Sequence, residues 1–167
     1  MSKALLIIDM QNFCVGKDSC SIFKYNNSEL IKNVNQIISE YDKNDVYYIV
    51  NIMEDNEVNR YAPFKAFEGS YDADIVRDLY RVNDKVFKKY ESNAFSNDLL
   101  SETLKNSGVD EIEIVGVDGG GCVARSAIEA IKLGFKVSLY TSGIGTTFTE
   151  KAEEFNKELK ELGAKFK

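Results

Sequence analysis

Residues 111–140 read EIEIVGVDGGGCVARSAIEAIKLGFKVSLY, and this stretch sets the fold class. Glu111–Val117 (EIEIVGV) is a short apolar, β-branched strand. A glycine cluster interrupts it, a helix runs from about Cys122 to Leu133, and Phe135–Tyr140 forms another strand. Strand, helix and strand in this order imply a parallel pair joined by a right-handed crossover.

The same alternation continues in both directions. Lys3–Asp9 (KALLIID) is a continuous apolar run ending on a carboxylate, as a buried parallel strand would. Asn27–Asp42 is a helix, with Leu30, Ile31, Val34, Ile37, Ile38 and Tyr41 on one face. Val46–Ile52 is a second strand, and Lys85–Lys89 a third. Residues 53–70 form a polar loop with at most one helical turn and the only proline, Pro63; Ala73–Tyr80 is expected as a short helix. Ser96–Ser107 is a helix stopped by Gly108. Thr147 and Glu150 are expected to form a capping box for a last helix that stops at Gly163, and Ala164–Lys167 adds a short sixth strand. The pattern predicts one α/β domain over 1–167, a three-layer α/β/α sandwich with a mostly parallel, Rossmann-like sheet of five to six strands.

Composition narrows the function. The chain has 167 residues with 44% apolar and 29% charged side chains, near the soluble average. Apolar runs such as Ala4–Ile8 fall far short of the ~20 residues that span a bilayer, and no signal peptide is evident. A net charge of −6 opposes binding to nucleic acid or anionic membrane. Three cysteines without a C-x-x-C fit reduced thiols, so a cytoplasmic location is expected. The chain contains no histidine, which excludes Ser-His-Asp and Cys-His catalysis and His-ligated zinc.

Ligands in parallel sheets bind beyond the carboxyl ends of the strands. Asp9, Lys89 and the turn before Cys122 all lie at such ends. Cys122 opens a helix, where the dipole and unpaired N–H groups lower a thiol pKa; it is either a nucleophile or a small packed residue. Asp9 is either a general base or an Asx cap of the following loop. Lys89 is either a charge stabiliser or half of a surface pair with Lys88. Gly119–Ala124 also matches the G-x-G-x-x-A form of a dinucleotide fingerprint, but no carboxylate ends the next strand. Cys14 and Cys20 read as incidental small residues, and Glu54–Glu57 as a solvated loop with the chemistry to bind a hard cation. Phe13, Tyr25, Tyr90 and Phe95 are aromatics able either to line an apolar pocket or to cap the core.

Taken together, ALLIIDMQNFC, EGSYDADIVRDL, VFKKYESNAF and IEIVGVDGGGCVARSAIEAIKLGFKV resemble, in order, segments of the isochorismatase-like cysteine hydrolases, the group with nicotinamidases and N-carbamoyl amidohydrolases. The resemblance runs from about residue 3 to 142. It implies a catalytic triad of Asp9, Lys89 and Cys122, a cis peptide at Val117–Asp118, and an oxyanion hole from the backbone N–H groups of Asp118 and Cys122. Gln11, Phe13 and Phe95 are expected as substrate contacts, and the resemblance also implies a homo-oligomer, a dimer or tetramer. Zinc-binding members carry Asp-x-His with a further His where this chain reads Asn51-Ile52-Met53-Glu54-Asp55, so no metal and no cofactor are expected. Members acting on isochorismate lack the cysteine. The expected activity is therefore metal-independent hydrolysis of a small amide or carbamoyl C–N bond. A nucleotide-binding oxidoreductase and a non-catalytic binding protein on the same fold are the alternatives.

Overall fold

In the computed structural model, which describes residues 2–167, strand β1 (Ser2–Ile8) lies at the middle of the sheet. It pairs in parallel with β2 (Val46–Asn51) on one side and β4 (Val109–Val117) on the other. β3 (Val86–Lys89), β5 (Lys136–Gly145) and β6 (Lys165–Phe166) extend the sheet in the order β3-β2-β1-β4-β5-β6, all parallel. Chain order reverses between β1 and β4, and in parallel sheets such a switch point is where a ligand crevice lies beyond the strand ends.

Side chains alternate across this sheet into two cores. Ala4, Leu6, Ile8, Ile112 and Ile114 pack on one face with α3 (Asp98–Asn106), α4 (Cys122–Lys132) and α5 (Thr149–Glu161). Leu5, Ile7, Val115 and Val117 pack on the other with α1 (Asn12–Val15) and α2 (Asn27–Ile38). The expected sandwich is the observed one. Among the described residues no helix is long and apolar enough to cross a membrane.

β1 and β4 approach closely beneath the crevice because of Gly116. Its φ is +116°, and a Cβ there would sit 2.0 Å from the Ile8 carbonyl oxygen, so no other residue fits without moving a strand.

Four local expectations need correction. Residues 73–80 are not a helix: Asn12 N–H donates to the Asp74 carbonyl, Phe13 N–H to that of Asp72, and Val76 N–H to that of Met10. Gln11 and Ile75 form an antiparallel bridge, so backbone groups that a helix would use internally are committed across the chain. The Thr147 capping box does not form; the Thr147 hydroxyl accepts from Lys24 N–H, and α5 starts without a side-chain cap. α2 ends at Ile38 rather than Asp42, which instead caps the 3-10 turn Lys43–Asp45 by accepting from Asn44 N–H. β5 continues beyond Tyr140 to Gly145 because Gly116 and Val117 offer it ladder partners at Ile144 and Gly145.

Candidate active site

The crevice gathers one side chain from each of three strand ends. Asp9 follows β1, Lys89 ends β3, and Cys122 opens α4 after β4. The Lys89 ammonium is fully buried and donates to Asp9 Oδ2 at 3.1 Å, to Asn51 Oδ1 at 3.1 Å and to Cys122 Sγ at 3.3 Å. Its neighbour Lys88 points outward and pairs with Glu68, as strand alternation requires. The sequence placed all three residues at the sheet edge; the structure brings them into contact.

Asp9 has a left-handed backbone, φ 56°, the only positive φ outside glycine among the described residues. Asp tolerates this region at a cost, and such outliers cluster at functional sites. Its Oδ2 is held by Lys89, while Oδ1 is buried and has no hydrogen-bond partner among the described residues. A buried, unpaired carboxylate oxygen costs free energy and is a ready proton acceptor.

Burial pulls the Lys89 pKa down, but Asp9 and Cys122 outweigh it, and the group stands above its ordinary 10.5. It is an ammonium at neutral pH. Cys122 goes the opposite way from the sequence expectation. Burial first, and the Asp9 charge second, push its thiol up to about 12, against the lowering by Lys89. Desolvation outweighs the cation and helix end that the sequence displays. Cys122 rests as a thiol and needs a base to become nucleophilic.

The turn before Cys122 includes a cis Val117–Asp118 peptide bond, where the resemblance implied one. Gly121 and Val123 N–H groups donate to the Asp118 carbonyl at 3.0 and 3.1 Å, and Gly119 N–H to the Gly145 carbonyl at 3.0 Å. The N–H groups of Asp118 and Cys122 meet no acceptor among the described residues. Gly120 N–H is taken by Asp118 Oδ1 at 2.7 Å, so a dinucleotide pyrophosphate would have to compete with a carboxylate there.

The other expected contacts divide. Gln11 is fully buried, and its amide is spent on backbone: Nε2 donates to the Asn51 and Ala73 carbonyls, and Oε1 accepts from Asn51 N–H. It is a clamp with no donor left for a substrate. Phe13 stacks on Phe64, centroids 4.6 Å apart, and meets Phe23 edge-on at 5.7 Å. Phe95 is a core residue stacked on Phe135 at 6.1 Å, and Tyr90 is exposed. Asn51 was missed, although it ends a strand beside the crevice, which is the signal that flagged Lys89. A surface groove of about 1180 Å³ between α2 and residues 71–80 is lined by none of Asp9, Lys89 and Cys122.

The isochorismatase domain model matches residues 3–166. The chain belongs to the isochorismatase family. Comparison with curated proteins finds no match. Among solved structures, this isochorismatase-family chain is similar to an isochorismatase-like hydrolase from Alkaliphilus metalliredigens, with 25% identity, TM-score 0.84, and 99% of this chain and 94% of that one covered. It also shares its fold with the pyrazinamidase of Pyrococcus horikoshii, solved in complex with zinc (23% identity, TM-score 0.85, 100% and 99% covered), and with N-carbamoylsarcosine amidase from Thermoplasma acidophilum (18%, 0.82, 100% and 96%).

A zinc ion does not fit the residues this chain offers. Among the described residues no three His, Cys, Asp or Glu side chains cluster tightly enough to hold one. Asn51 gives its oxygen to Lys89, and Asp55 in the acidic loop is paired with Arg60 at 2.7 Å.

Proposed function

We propose that this isochorismatase-family protein hydrolyses the C–N bond of a small amide or carbamoyl compound through a thioester on Cys122, without a metal. The observation that carries the reading is the single ammonium of Lys89 bridging Asp9 Oδ2 and Cys122 Sγ, with Asp9 Oδ1 buried beside them and, among the described residues, without a hydrogen-bond donor.

Asp9 takes the Cys122 thiol proton, and the thiolate attacks the carbonyl carbon. Lys89 offsets the negative charge on both partners, which a raised thiol pKa requires. The tetrahedral oxyanion is received by the N–H groups of Asp118 and Cys122, each contributing about 3 kcal/mol of transition-state stabilisation. The C–N bond breaks as Asp9 returns its proton to the leaving nitrogen. Water, deprotonated by Asp9, then attacks the thioester; the acid leaves and the proton returns to sulfur.

The test is release of ammonia or amine from a panel of small primary amides and N-carbamoyl amino acids, with intact-mass detection of the acyl adduct. Turnover by wild type and none by Cys122→Ala is the expected result. Equal turnover by both proteins, or equal labelling by a thiol-reactive amide analogue, would overturn the nucleophile assignment. A merely binding protein on this fold would tolerate Asp9→Asn without loss of function.

A further inference from the structure

Three successive glycines are a poor way to hold two N–H groups in a fixed geometry. Each lacks a side chain and has the widest backbone freedom of any residue. Gly119, Gly120 and Gly121 nevertheless separate the two N–H groups of the proposed oxyanion hole. The order must come from elsewhere.

Backbone bonds from Gly119, Gly121 and Val123 supply part of it, and one side chain adds to them. The Asp118 carboxylate is buried and accepts three hydrogen bonds. Oδ1 takes Gly120 N–H at 2.7 Å, inside the turn. Oδ2 takes the Tyr25 hydroxyl at 2.9 Å and the backbone N–H of Thr147. Tyr25 comes from the segment between α1 and α2, and Thr147 from the link between β5 and α5, so the three donors reach the carboxylate from separate parts of the chain. The Asp118 carbonyl meanwhile accepts from Gly121 and Val123. Charge-assisted bonds of this kind are short and about twice as strong as neutral ones.

We propose that Asp118 is a positioning residue whose carboxylate, anchored by Tyr25 and Thr147, holds the glycine turn so that the N–H groups of Asp118 and Cys122 converge on one oxyanion. The inference rests on the proposed function. It assigns the carboxylate a geometric role, despite its negative charge near a site where negative charge develops. Tyr25 ties this role to the aromatic cluster. Its ring stacks on Phe23 at 6.2 Å, and Phe23 in turn touches Phe13 and Phe64. The segment carrying Phe23 and Tyr25 thereby sets the turn as well as its own packing.

Two reagents separate the role from general damage. Acylation of Cys122 by p-nitrophenyl acetate passes through an oxyanion; alkylation by iodoacetamide displaces iodide and does not. Both are read at Cys122 by peptide mass spectrometry against Cys122→Ala. Asp118→Asn loses at least one acceptor, and Tyr25→Phe loses one donor while keeping its ring. The expected result is acylation slowed about 10- to 100-fold in Asp118→Asn and by a smaller factor in Tyr25→Phe, with alkylation changed less than about threefold. Tyr25→Phe keeps the test open should Asp118→Asn fold poorly. Unchanged acylation in Tyr25→Phe and a folded Asp118→Asn, or faster acylation when the charge is removed, would overturn the positioning role alone. No acylation of wild-type Cys122 would overturn both this role and the thioester mechanism.

Discussion

The Cys14 thiol donates to the Asp9 carbonyl oxygen at 2.8 Å, and this contact backs the one non-glycine left-handed residue among those described. Gln11 N–H donates to the same oxygen at 2.8 Å. Cys14 therefore helps to hold the backbone from which the Asp9 carboxylate enters the site. Cys14→Ala is expected to lose about 1 kcal/mol of stability, with Cys14→Ser recovering part of it through the hydroxyl donor. Urea unfolding of the three proteins checks this; identical midpoints would show that the contact contributes nothing.

Asp9→Asn should separate base catalysis from thiol ionisation. Asn tolerates the left-handed backbone and keeps an oxygen for Lys89, so the variant folds. Turnover should fall about 10²- to 10⁴-fold with the base removed. Alkylation of Cys122 at pH 8 should rise instead, because the Asp9 charge is one cause of the raised thiol pKa. A parallel fall in both rates would contradict the assignment.

Glu113 carries an acid-stability signature. It is buried, and although burial raises its pKa, the ammonium groups of Lys167 and Lys3 outweigh this and leave it below the ordinary 4.5. A carboxyl with a depressed folded pKa stabilises the fold above its unfolded value. That contribution declines as pH drops below 4.5 and is gone once pH passes below the folded pKa. Unfolding midpoints of wild type should therefore fall more steeply below that pH than those of Glu113→Gln. Parallel curves would remove Glu113 from the acid transition.

A side chain at Gly120 would meet the start of α5. Its Cβ would lie 2.2 Å from the Phe148 carbonyl oxygen, a backbone atom that cannot swing aside. Gly120→Ala is expected to destabilise by about 1–3 kcal/mol and to slow acylation of Cys122. A thermal melt superimposable on wild type would refute the contact.

Exhaustive chelation should leave amide turnover intact, since Asn51 is engaged by Lys89 and the described residues present no cluster of three ligands. The measurement is turnover of a metal-analysed preparation before and after chelator treatment. Loss of activity that zinc restores would disprove metal independence.

The order of the strands, and the placing of Asp9, Lys89 and the turn before Cys122 at their carboxyl ends, were legible in the sequence because hydrophobic periodicity is local. So was the absence of histidine, which removed whole reaction classes before any fold was known. Residues 73–80 misread as a helix because their backbone partners lie at Met10, Asn12 and Phe13, distant in the chain. The Gln11 amide donates to Asn51 and Ala73, partners that only the fold brings to it. The direction of the Cys122 shift depended on how much water the packed chain excludes, a property of no single segment. The Asp118 carboxylate acquired its place for the same reason: hydrogen-bond partners from Tyr25 and Thr147 exist only once the α1–α2 segment and the β5–α5 link meet over the glycine turn. Local pattern determines which elements form, whereas desolvation and the pairing of buried polar groups are settled only when those elements pack.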